Sequence, residues 1–230
     1  GIDFDAQAER ARRAPRAPRP EGERLILGVD RLDYTKGIPE RIRAFERLLE
    51  VHPEHRERAT LIQLAVPSRD QVAEYQSLKR EIDELVGRVN GRFASREWSP
   101  IRYLYRSLPQ DKLAALYRDA DVALVTPLRD GMNLVAKEFI ASQTDDPGVL
   151  VLSRLAGAAE HMHEALRDTP NNIDSAADSL HRAVGMDSGE RADRLRALQG
   201  REREHDLQSW LSSFLEAALA PSVRMHPATS

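Results

Sequence analysis

From Arg24 onward, short apolar runs alternate with longer stretches in which apolar residues recur every three or four positions. The first run, Leu25-Ile26-Leu27-Gly28-Val29, closes on Asp30 and Arg31 and reads as a buried strand that delivers polar residues at its carboxyl end. Ile38, Ile42, Phe45 and Leu49 then follow at steps of four, three and four. That is a helical stripe, with Pro39 in the first turn, where a missing N–H is tolerated, and Pro53 beyond the end. The unit repeats. Leu61-Ile62-Gln63-Leu64-Ala65-Val66 reads as a strand, Pro67-Ser68 as a turn, and a long amphipathic helix is expected from about Arg69. Its apolar face is Val72, Tyr75, Leu78, Ile82, Leu85 and Val89, with Glu74, Lys79, Arg80, Glu81 and Glu84 on the other side. A third strand is predicted at 101–105, a short helix at 111–118, and a fourth strand at 122–125 that ends on Thr126-Pro127. The loop from Leu128 to Asn133 leads into a helix through Glu138 and Phe139, and 148–152 supplies a fifth strand. Helices are expected around 175–184, 189–198 and 202–219.

Strands alternating with helix-length crossovers define an α/β fold, a Rossmann-like parallel sheet with helices on both faces. One domain over 24–220 is expected, preceded by a hinge or linker at 1–23 and followed by a tail at 221–230. Near the start, Arg10, Arg12, Arg13, Arg16, Arg19 and Arg24 are interrupted by Pro15, Pro18 and Pro20, which restricts any helix to the first half of the stretch. It reads as a solvated linker. No aromatic residue is interleaved there for stacking on bases, so a nucleic-acid arm is disfavoured.

Composition narrows the chemistry. The 230 residues contain no cysteine, which excludes disulfides, thiolate metal sites and cysteine nucleophiles. The apolar runs are too short to cross a bilayer and no signal segment opens the chain, so a cytoplasmic protein without membrane partners is expected. The 34 basic and 37 acidic residues nearly cancel, so any anion site must be local.

Ligands of open parallel sheets bind beyond the strand carboxyl ends. That rule selects Arg31 and Lys36 after the first strand, Arg69 after the second, and Asp130-Gly131-Met132-Asn133 after the fourth. Three cations beside a glycine-containing loop that opens a helix can cradle a diphosphate and neutralise it as it leaves. The plainer alternative is that Arg31 and Lys36 only pair with Asp30, Asp33 or Glu40. No Gly-Lys-Ser/Thr loop and no G-x-G-x-x-G follows the first strand, which leaves nucleoside-triphosphatase and nicotinamide readings without support. Asp119-Ala120-Asp121 has a metal-binding D-x-D form but precedes the fourth strand, so it reads as structural. His161 and His163 read as solvent-exposed rather than as zinc ligands. Glu138, two turns into its helix, either holds a ribose or is an ordinary exposed charge.

Two segments carry a resemblance: Gly28-Val-Asp-Arg-Leu-Asp-Tyr-Thr-Lys-Gly37 and Thr126-Pro-Leu-Arg-Asp-Gly-Met-Asn-Leu-Val-Ala-Lys-Glu138. With Pro147-Gly-Val-Leu-Val-Leu-Ser153 and Ala156-Gly-Ala-Ala159, they closely resemble the trehalose-6-phosphate synthase family over most of 24–166. The resemblance implies the C-terminal, donor-binding half of a GT-B glycosyltransferase in trehalose biosynthesis. Arg31 and Lys36 would bind the diphosphate of UDP-glucose or a related nucleotide sugar. Asp130, with the Met132 and Asn133 backbone, would hold the glucose, Leu134 and Val135 backbone groups would face phosphate, and Glu138 would grip the ribose. Arg69 would lie near the acceptor phosphate. It further implies retaining transfer to glucose 6-phosphate with no metal or other cofactor and no protein nucleophile, the leaving phosphate helping to deprotonate the acceptor. Gly1-Ile2-Asp3 resembles the hinge after the family's N-terminal domain, so the acceptor half is expected outside this chain, which alone would be inactive. A separate acceptor-binding chain, or a non-catalytic assembly module that associates with itself, both stay open. The segment 166–174 departs from the family's apolar strand and Asn-Pro-aromatic-Asp pattern, and no strand is predicted there.

Overall fold

The structure, a computed structural model, describes residues 1–69 and 71–204. Six parallel strands form one sheet: β1 (Arg24–Arg31), β2 (Ala59–Val66), β3 (Ile101–Tyr105), β4 (Val122–Val125), β5 (Val149–Ser153) and β6 (Leu166–Asp168). Their spatial order is β3-β2-β1-β4-β5-β6. Seven helices cover it among the described residues: α1 (Phe4–Arg13), α2 (Ile38–Val51), α3 (Ala73–Phe93), α4 (Gln110–Asp119), α5 (Leu134–Ser142), α6 (Ile173–Gly185) and α7 (Ser188–Glu204).

Successive strand residues point to opposite faces, and the chain fills both. Ile26, Leu61, Val122, Leu124, Val149 and Val151 pack with Ile38, Ile42, Phe45 and Leu49 of α2, and with α3 and α6. Their neighbours Leu27, Val29, Leu64, Ala123, Val125, Leu150 and Leu152 pack with α1, α4, α5 and α7. Burial on two faces explains why these strands read as continuous apolar runs.

Four expectations need correction. The first stretch is not a solvated linker: Asp3 caps α1, which buries Phe4, Gln7, Ala8 and Ala11 against α4 and α5. The chain beyond α1 is held too, because the buried Arg118 guanidinium donates to the carbonyls of Ala11, Ala14 and Pro15. The Pro15 break lies just beyond the helix. The long helix begins at Ala73, and Val72, a cap in extended conformation, is exposed. A sixth strand exists at Leu166–Asp168, paired with β5 in spite of its polar residues. Finally, α7 runs without interruption through Gly200 to Glu204, while the remainder of the helix expected at 202–219 lies outside the described residues. No described helix is long and apolar enough to cross a membrane.

Candidate functional site

The strand order reverses between β1 and β4, where the diverging connections open the crevice in which such sheets bind ligands. Two loops meet there. After β1, Asp33 Oδ1 accepts from the N–H and hydroxyl of Thr35, at 2.9 and 2.8 Å, and caps a 3-10 turn over Tyr34–Lys36. Gly37 follows at φ 63° and ψ 33° and starts α2. A Cβ at Gly37 would stand 2.4 Å from the Thr126 carbonyl oxygen, so only glycine lets the first loop lie against the second. The Thr35 carbonyl in turn accepts from the N–H groups of Leu128 and Arg129, at 2.8 and 3.2 Å. The loop beyond β5 clamps the opposite side, with Gly157 N–H donating to the Asp130 carbonyl at 3.0 Å.

Lys36 and Asp130, 94 residues apart in sequence, meet in this crevice, Nζ donating to Oδ2 at 2.5 Å. Asp130 also accepts from Asn133 Nδ2 at 3.1 Å and from the Met132 N–H at 3.3 Å. Burial raises the Asp130 carboxyl, but the bonds from Lys36 and then from Met132 and Asn133 outweigh it and hold the group below its ordinary pKa. It is a carboxylate at neutral pH. Asn133, in left-handed conformation at φ 64°, caps α5 by accepting from Ala136 N–H at 3.0 Å. Leu134 and Val135 are the first two residues of α5, whose N–H groups precede the helix's own acceptors and lie at its positive end. A Cβ on Gly131 would meet nothing within 4 Å, which leaves open space over the loop.

Beneath the node lies a residue that the sequence reading missed. Arg41 is fully buried and donates to Asp30 Oδ2 at 2.8 Å, to Gln63 Oε1 at 3.1 Å and to Thr126 Oγ1 at 3.3 Å. One guanidinium thereby ties β1, β2 and the end of β4 under the crevice. Removing one partner of such a buried pair costs about 3–5 kcal/mol, because the other is left charged and dry. A signal was present: Arg41 stands three residues after Ile38 and four before Phe45, at the margin of the apolar stripe.

The remaining predicted side chains flank the node without joining it. Arg31 is exposed, with Nη2 3.7 Å from Asp33 Oδ2, so the plainer pairing holds for it in part. The Tyr75 hydroxyl donates to the same Asp33 oxygen at 3.4 Å, and the Arg69 guanidinium lies 5.8 Å from the centre of the Tyr75 ring. Arg69 itself has φ 51°, an uncommon conformation for a side chain of its size. Met132 and Leu134 are exposed. Glu138 is half-buried on α5, where Oε2 accepts from the Tyr117 hydroxyl at 3.0 Å. Burial pushes its pKa up, with the Tyr117 bond and the Arg10 charge opposing. The D-x-D aspartates sit at the amino edge. Asp121 accepts from Arg19, Arg24 and the Leu25 N–H, which makes it a structural anchor. His161 and His163 are both exposed, and His163 Nδ1 pairs with Arg167.

A six-stranded parallel sheet in this order, with its crevice at the reversal point, is one Rossmann-like half of a GT-B glycosyltransferase. Residues 14–219 match the model of glycosyltransferase family 20, and the chain belongs to that family. A trehalose-6-phosphate synthase of Sinorhizobium fredii is 45% identical over 232 residues, covering 97% of this chain and 50% of that protein. A bifunctional trehalose-6-phosphate synthase/phosphatase of Thermoproteus tenax is 48% identical over 197 residues, 86% of this chain and 27% of the relative. Among solved structures, the Escherichia coli enzyme bound with UDP-2-fluoro glucose matches 94% of this chain and 50% of its own at 38% identity, with a TM-score of 0.89. The chain thus spans half or less of these relatives and corresponds to the C-terminal portion of the single-function synthases.

Proposed function

We propose that this chain is the donor half of a retaining glycosyltransferase, binding the nucleotide and sugar of UDP-glucose at the β1/β4 crevice. The observation that carries the reading is the Lys36-Asp130-Asn133 node, set beside the positive amino end of α5 at the switch point of the sheet. An ammonium has three donors and Asp130 takes one, so Lys36 can hold Asp130 and a diphosphate oxygen together. Arg31 adds an exposed guanidinium, and the Leu134 and Val135 N–H groups add neutral donors. Asp130 is left to accept from sugar hydroxyls beside the Met132 and Asn133 backbone, and Glu138 to accept from ribose. Arg69 stands at the rim, where an acceptor phosphate would approach.

Charge development explains the chemistry this half supplies. As the glycosidic bond to phosphate breaks, negative charge grows on the diphosphate, and fixed cations and a helix terminus stabilise it. Glucose transfer to glucose 6-phosphate requires an acceptor domain, in another chain or a longer one. The exposed apolar side chains of Tyr34, Met132, Leu134 and Leu155 suit this face to packing against such a domain. They equally favour an assembly module, which would elute as a dimer or larger in size-exclusion chromatography without binding nucleotide.

Calorimetric titration of UDP into Arg31→Ala, Lys36→Ala and, as a control, Arg12→Ala separates these readings. Loss of a charge-assisted bond is worth about 1.5–3 kcal/mol, so affinity should fall roughly 10- to 100-fold in the first two and stay unchanged in the third. Equal affinities in all three would dismiss the pocket.

A further inference from the structure

At the end of α2 remote from the crevice, about 20 Å along the helix, four side chains from two segments converge. His52 caps α2, Glu54 and His55 belong to the 3-10 turn Pro53–His55, and His181 lies on α6, which packs against α2. The His52 and His181 rings stack in parallel, 3.7 Å between centroids and 7° apart. Glu54 Oε1 is 3.4 Å from His52 Nδ1 and 3.8 Å from His181 Nδ1, and one ligand atom from each of these three residues lies within 4.8 Å of the others. His55, buried, places Nε2 at 2.9 Å from His181 Nδ1.

An ion bound tetrahedrally at 2.0–2.1 Å separates its ligand atoms by about 3.3 Å. The Glu54–His52 spacing meets that value and Glu54–His181 exceeds it by about half an ångström. We propose that His52, Glu54 and His181 form a binding site for one divalent transition ion of the zinc class, with solvent completing the coordination. Neutral imidazole nitrogens with one carboxylate oxygen are the donor set such ions take. The parallel rings present their in-plane lone pairs side by side. One ring therefore turns about its Cβ–Cγ bond on binding, exchanging the His55–His181 hydrogen bond for a bond to metal. An ion here would fasten α2 to α6, a structural role separate from the donor crevice.

The test uses tag-free protein freed of metal with chelator and titrated with zinc chloride by calorimetry, then melted with and without zinc. One zinc per chain is expected, with a rise in Tm of about 3 °C or more at saturating metal. His52→Ala/His181→Ala should lose both, and Glu54→Gln should bind at least tenfold more weakly. His161→Ala/His163→Ala should behave as the unmodified chain. These side chains are partly exposed, so the variants should fold; matching circular dichroism spectra check this. No saturable zinc binding by the unmodified chain, or undiminished affinity in His52→Ala/His181→Ala, would overturn the site.

Discussion

Lys36 and Asp130 hold each other before any ligand arrives, so the Lys36 ammonium is placed in advance and that side chain would lose little freedom on meeting an anion. Glu138 behaves differently. Because burial raises its pKa, it stays protonated to higher pH in the folded chain than in the unfolded one, and its contribution to stability falls as pH rises through that interval. A ribose-binding carboxylate gains acceptor strength over the same interval. Nucleotide affinity is therefore expected to rise with pH where stability falls, and Glu138→Gln should flatten both trends; a pH series of UDP titrations and thermal melts measures them together. Gly131 offers a second probe. Its absent side chain meets nothing in the fold, so Gly131→Ala should leave Tm unchanged while weakening UDP-glucose binding, and unchanged affinity would mean that the sugar lies elsewhere. Arg31, Arg69 and the Asp130 loop were placed beyond strand ends because they follow apolar runs closely. The position of Arg41 beside an apolar stripe was visible but its role was not, since that depends on Asp30, Gln63 and Thr126 from three different segments.

Among elements, periodicity located the interior of each helix better than its ends. The stripe from Tyr75 to Val89 is buried as read, whereas the helix starts after Val72, because the chain must leave β2 through the left-handed turn at Arg69. α1 escaped notice for a compositional reason: its buried face is mostly alanine and glutamine, whose small apolar signal is masked by arginine. β6 escaped because it ends in Asp168, which is buried with neither oxygen in a hydrogen bond of ordinary geometry among the described residues. Burial pushes the Asp168 carboxyl up, and the nearby Thr169 N–H and Arg154 offset this only in part. The folded chain thus holds that proton more tightly than the unfolded one and loses stability as pH rises through the raised value. Asp168→Val should raise Tm, most at alkaline pH and least in acid; a lower Tm at alkaline pH would show that the carboxylate makes a favourable contact.

At the scale of the molecule, the doubly wound sheet decides where chemistry is possible. Two loops that are distant in sequence become neighbours only because β1 and β4 are adjacent at the reversal of strand order. Alternating strands and helices made that architecture readable, and with it the edge on which sheets of this kind bind ligands. The chain spans about half the length of its solved relatives. Donor binding should reside in this half alone, which calorimetry of the chain with UDP-glucose, then with glucose 6-phosphate, can decide. Saturable binding of UDP-glucose at one site per chain, with no comparable heat from glucose 6-phosphate, is the result expected. Failure of the folded chain to bind UDP-glucose, or a preference for the sugar phosphate, would contradict the assignment.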